Sequence, residues 1–135
     1  MKHVKKRSRT AVLLLLAGDW AVLLLFTMLG GLEHRMGLSL WDVVIVAMPY
    51  LLVWPVIALW TGAYRRTAYS GYGKAAIVTA CAWIITHPLA LALRWILYNK
   101  PAFTTFAPVA LVFVYLFLAA WRLCFVWIYR RISRP

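Results

Sequence analysis

Four side chains able to carry charge stand where an apolar chain has least use for them. In "LLLLAGDWAVLLLF" an aspartate, Asp19, interrupts a hydrophobic run. His87 lies in "IITHPLAL", Arg94 follows it seven residues later, and Arg122 lies in "LAAWRLCF". A carboxylate in such a place does one of two kinds of work. Paired with a guanidinium it fixes the register of two helices; unpaired it takes up and releases protons, as coupled transport requires.

Arg122 is the natural partner for Asp19, because its planar fork suits a carboxylate and its long side chain can reach toward the middle of a bilayer. An arginine there would keep Asp19 ionised, which favours a structural pair, with protonation as the alternative. On the third apolar run Trp83, His87 and Arg94 share a helix face. Pro88 frees the carbonyl of Ile84 and can kink that helix. An imidazole can relay protons or ligate haem. A second axial ligand at similar depth is missing, since His3 and His34 lie outside the apolar runs. A hydrogen-bonded interior histidine is the plainer reading. Glu33, His34 and Asp42, in the loop "GLEHRMGLSLWD", are candidates to engage Arg94 or Lys100. Solvated charges worth about 0–1 kcal/mol per pair are the simpler alternative.

No Ser-His-Asp arrangement, phosphate-cradling glycine loop, H-E-x-x-H or carboxylate pair is present. Three acidic residues at different depths do not build a hydrolase, so an enzyme is not expected. The two cysteines, Cys81 and Cys124, lack C-x-x-C spacing. Neither a metal site nor a cofactor is expected.

The elements that must position these residues follow from composition. The chain has 135 residues, 65% of them hydrophobic and 13% charged, with mean hydropathy +0.82. A soluble domain of this size cannot hide so much apolar surface. Four continuous apolar runs, at about 10–29, 41–60, 75–98 and 103–128, are each long enough to cross a bilayer as a helix. They lack the alternation of barrel strands. The sequence therefore predicts one all-α domain over residues 1–135, an integral membrane bundle of four transmembrane helices. The run after "MKHVKKRSRT" exceeds a signal-peptide core and has no A-x-A-like site after it, so it reads as a retained first span.

The net charge of +12 would suggest nucleic acid in a soluble protein. Here it reads as topology. Lys2, Lys5, Lys6, Arg7 and Arg9, then Arg65, Arg66 and Lys74, then Arg130, Arg131 and Arg134 fall on one side. Arg35 and Lys100 alone fall on the other. Both termini should face the cytoplasm, with anionic lipid headgroups at the basic ends and no nucleic acid. Trp60, Tyr64, Tyr69, Tyr72, Trp127 and Tyr129 should sit in the inner headgroup region.

Counted from Thr10, Asp19 lies about 13 Å deep, near the midplane, and Arg122 roughly 9 Å above the inner end of its span. Ala17, Gly18 and Ala21 should let another helix approach, with Ala119 and Ala120 as the opposing surface. Pro49 and Pro55 leave the carbonyls of Ile45 and Leu51 without their helical partners.

Several short motifs in order carry a resemblance. They are "GDW" with Gly18 and Asp19, His34, Pro49 with Trp54, "GAY" at Gly62 to Tyr64, Pro88 with Arg94, and "WR" at Trp121 and Arg122. Over about Ala11 to Arg131 the chain resembles a family of small prokaryotic membrane proteins, domain of unknown function 3054. The resemblance implies a four-helix integral membrane protein and carries no activity. Small multidrug transporters also place an acid midway along the first of four helices, but theirs is a glutamate and their charge bias is weak.

The expected role is a small structural or accessory subunit of the cell membrane, as a homo-oligomer or within a larger complex. Its polar core would draw on Asp19, His87, Arg94 and Arg122. The alternative is a small proton-coupled transporter or channel using Asp19 or His87.

Overall fold

The computed structural model describes residues 2–33, 37, 39–99 and 106–133. Four helices account for nearly all of them: α1 (Lys2–Glu33), α2 (Leu40–Thr61), α3 (Tyr72–Tyr98) and α4 (Phe106–Ser133). There is no strand among the described residues. Each expected span falls on one helix, and the helices overrun the apolar runs by a turn or more at several ends. His34, Lys100 and the beginning of the fourth expected span at 103–105 lie outside the described residues.

Each helix is long and apolar enough to cross a membrane, with mean hydropathy 2.3 for the first, second and fourth and 1.9 for the third. Large apolar side chains line the outside, including Leu13, Leu52, Val56, Ile77, Ile84 and Val112. A continuous belt of this kind exceeds the apolar patches that a water-soluble monomer tolerates.

The ends of α2 explain its limits. Ser39 and Asp42 form a reciprocal capping box: the Asp42 amide donates to Ser39 Oγ, and the Ser39 amide donates to Asp42 Oδ2 at 2.9 Å. Asp42 thus serves the helix start, while Lys100, one of the partners considered for it, lies outside the described residues. At the other end Gly62 takes the left-handed conformation (φ 81°). The amides of Ala63 and Gly62 return to the carbonyls of Ala58 and Leu59. This is a Schellman arrangement, which turns the chain sharply back.

The helices form a closed ring in which α1 packs on α2, α2 on α3, α3 on α4 and α4 on α1. Cross-helix contacts give the directions. Tyr98 bonds to Ile45 and Tyr50 to His87, so α2 and α3 run antiparallel. The pairs Asp19–Arg122 and Phe26–Phe117 show the same for α1 and α4. The start of α1 and the end of α4 therefore lie at one end of an up-down-up-down bundle.

The proline carbonyls are partly answered. The Tyr98 hydroxyl donates to Ile45 O at 3.0 Å, covering the acceptor that Pro49 leaves open. The link between α2 and α3 also differs from expectation. Ala63, Tyr64, Ala68 and Tyr69 are buried, with Tyr69 set edge-on to Phe125 and Tyr129. Tyr64 and Tyr69 are not headgroup anchors; they close the bundle from the end that carries the termini. Burial pushes the Tyr69 phenol up from its ordinary range, so it stays protonated.

Candidate functional site

Asp19 is wholly buried on α1, and Arg122 on α4 is 2% exposed. The guanidinium meets the carboxylate side-on: Nε donates to Oδ1 at 3.1 Å and Nη2 to Oδ2 at 2.5 Å. Two further donors converge on Oδ2, Trp54 Nε1 from α2 at 2.9 Å and the Tyr64 hydroxyl at 2.8 Å. Arg122 uses its remaining reach to donate from Nη1 to the carbonyl of Ala63 at 2.8 Å. The rings of Tyr64 and Trp54 flank its cationic carbon at 5.0 and 5.9 Å. Both charges are thus hydrogen-bonded as well as paired, the condition under which a buried ion pair is tolerated.

Local structure explains how three elements meet one carboxylate. The turn at Gly62 presents the Ala63 carbonyl to Arg122 and the Tyr64 phenol to Asp19. Gly18 lets α4 come close. A Cβ added there would lie 2.0 Å from the indole of Trp121, so the space belongs to that ring. This corrects the expected small-residue contact. Ala17, Ala21 and Ala120 face outward, and Ala119 is half-buried. Gly18 alone supplies the close approach, and Trp121, not an alanine pair, fills it.

His87 and Arg94 do not join this cluster by hydrogen bond. His87, 5% exposed, sits farther along α3 beside Tyr50, whose hydroxyl is 3.3 Å from Nδ1. Its ring packs against Trp83 and Tyr50 with centroids 5.3 and 5.9 Å away. Among the described residues His87 Nε2 and the hydroxyl of buried Thr86 have no hydrogen-bond partner. Arg94 is half-buried nearer the far end of α3. An aromatic contact links the two regions, Trp54 against Trp83 with centroids 6.2 Å apart, and Trp83 Nε1 donates to Leu111 O on α4.

Spacing alone did not single out Tyr50 or Tyr64 as site residues, because a tyrosine near a helix end reads as an interfacial ring. Trp54 entered only through the resemblance. Cys81 and Cys124 are unpaired and exposed on the outer faces of their helices. No group of three or more potential metal ligands occurs among the described residues.

"GDW", Trp54, "GAY" and "WR" lie far apart in sequence and meet around one carboxylate. A family model described as protein of unknown function (DUF3054) matches residues 16–125, which contain all of them. The chain belongs to this DUF3054 family. No curated protein and no solved structure matches it. For this DUF3054 chain the Asp19 cluster is therefore described by its own geometry: a closed, charge-neutral knot that joins α1, α4 and the turn after α2.

Proposed function

We infer that the chain is a multi-pass protein of the cell membrane whose role is structural or accessory. Both termini face the cytoplasm, and the Asp19–Arg122 knot ties α1 and α4 to α2 and the turn that follows it. One observation carries this reading. Asp19 accepts four hydrogen bonds, two of them from a guanidinium, with no exposed surface. A carboxylate so engaged is anchored by donors from α2, α4 and the turn after α2, so any displacement of it breaks contacts between elements.

The test is reconstitution. Purified protein in liposomes should move neither protons nor small solutes above empty vesicles, and mild detergent extraction should leave it within a homo-oligomer or a larger membrane complex. Proton or solute uptake abolished by Asp19→Asn, in a variant that remains folded, would overturn the structural role.

The charge asymmetry supports the orientation. Cysteines introduced at Ser8 and Ser70 should react only with reagents that enter the cytoplasm, and one at Ser39 from outside. External labelling at Ser70 refutes it.

A transporter reading has one specific observation in its favour, and it concerns His87. Nε2 is buried with no partner among the described residues, while Nδ1 faces the Tyr50 hydroxyl. Uptake that is lost in His87→Gln and kept in Asp19→Asn would select that reading.

A further inference from the structure

At the end that carries the termini, the α2–α3 link and the last turns of α4 enclose a groove of about 260 Å³. It is lined by Arg66, Ser70, Tyr129, Arg130 and Ser133. Arg66 and Arg130 are both exposed, and an anion seated in the groove would gain from both guanidiniums. Among the described residues no carboxylate lines the groove. The chain's side-chain carboxylates are Asp19, Glu33 and Asp42. Asp19 is consumed by Arg122, while Glu33 ends α1 and Asp42 begins α2 at the opposite end of the bundle.

The walls are built to hold shape. Tyr129 stacks on Phe125 with ring centroids 6.1 Å apart and meets Tyr69 edge-on at 5.1 Å. Arg130 rests its guanidinium 5.4 Å from the centre of the Tyr72 ring, which restrains its swing. The Tyr129 phenol and the Ser133 hydroxyl line the same groove and are able to donate to an oxyanion there. Ser70 Oγ is already turned to the carbonyl of Thr67. Two forked cations with neutral hydroxyl donors are the chemistry that recognises a phosphate.

The neighbourhood decides which phosphate. Trp127, Ile128 and Ile132, on the same turns of α4, are 52%, 44% and 67% exposed. Apolar surface and anion groove thus adjoin on one short stretch of helix. A glycerophospholipid has the same order, acyl chain then phosphate, and a free phosphate ion gains nothing from the apolar part. We propose that the groove formed by Arg66, Tyr129, Arg130 and Ser133 binds the phosphate of an anionic phospholipid headgroup. This site is independent of the Asp19 knot and of the role assigned to it.

The experiment compares lipid retention by the full chain and two variants. The protein is placed in nanodiscs of phosphatidylcholine containing a minority of phosphatidylglycerol, and tightly held lipid is measured by native mass spectrometry after detergent release. Wild type should retain phosphatidylglycerol selectively. Arg66→Gln with Arg130→Gln, two exposed positions, should weaken that retention by roughly tenfold or more. Arg131→Gln, whose side chain lies over Trp127 and does not line the groove, should leave it nearly unchanged. Melting temperatures of all three in pure phosphatidylcholine confirm that the variants fold. Equal loss in Arg131→Gln would mean that general charge attracts the lipid, and the site would be wrong. Inorganic phosphate displacing the lipid at equal concentration would make a free phosphate the ligand and overturn the lipid assignment.

Discussion

Asp19 and His87 are both buried polar groups well inside long apolar helices, yet their surroundings differ in kind. Around Asp19 each charge has a partner, and even a backbone carbonyl is recruited to finish Arg122, while the neutral Trp121 Nε1 beside Gly18 has none among the described residues. Around His87 one ring nitrogen and the neighbouring Thr86 hydroxyl have no partner among the described residues. The difference follows from what each group costs when left alone. An unpaired ion at bilayer depth costs several kcal/mol, so the fold must close around it. A neutral hydroxyl or imidazole nitrogen costs about 1–3 kcal/mol, which a well-packed aromatic setting can absorb. The charged region thus dictates helix arrangement, and the neutral region accommodates it.

The strongest way to break that contrast is to strand one charge. Arg122→Gln or Asp19→Asn alone should destabilise the bundle by about 3–5 kcal/mol, because the surviving ion stays buried. The double variant should cost less than the two singles together. Unfolding followed by helical circular dichroism during titration with a denaturing detergent measures all three. Additive losses would show that the pair does not act as a unit, and the charged region would then be no different from the neutral one.

A smaller effect tests whether the knot depends on close helix approach. In a helix interior Gly→Ala ordinarily gains about 0.5–1 kcal/mol. Gly18→Ala should instead lose about 1–3 kcal/mol, since the new methyl overlaps the Trp121 ring. The sign is diagnostic. Repeating the change in a Trp121→Leu background removes the obstruction, and Gly18→Ala should there become neutral or stabilising. A stabilising Gly18→Ala in the native background would mean that α1 and α4 have room to spare.

How much of this was legible beforehand depends on the residue. Asp19 and Arg122 announced each other because charges are rare in apolar runs, and a rare acid needs a nearby base. The four helices were equally plain from hydropathy and length. Tyr64 was not, since its role rests on the turn at Gly62 bringing a link residue back into the bundle. No local pattern distinguishes a tyrosine that folds inward from one that rests among headgroups. Gly18 reads as a site of close approach, but the sequence points to Ala119 and Ala120 where the structure has Trp121, because a short motif does not say which neighbour fills the gap. Tyr98 covering Ile45 was likewise invisible: Pro49 exposes the need, and only the packing of α3 on α2 supplies the donor.

The smallest expected effect sharpens the comparison within a single helix. Thr79 and Thr86 both lie on α3, two turns apart on nearly the same face, and both are almost completely buried. Thr79 Oγ1 donates to the Ala75 carbonyl at 2.6 Å. Thr86 Oγ1 has no partner among the described residues. Valine replaces the hydroxyl by a methyl of similar shape in each case. Thr79→Val should lose about 0.5–1.5 kcal/mol, the usual net worth of one hydrogen bond. Thr86→Val removes a buried polar atom that bonds to nothing described, so it should be neutral or slightly stabilising. The same detergent titration resolves the difference when the two variants are run side by side. If Thr86→Val costs as much as Thr79→Val, its hydroxyl has a partner in the folded bundle. The His87 region would then be a finished polar network like that of Asp19, and the contrast between charged closure and neutral tolerance would fail.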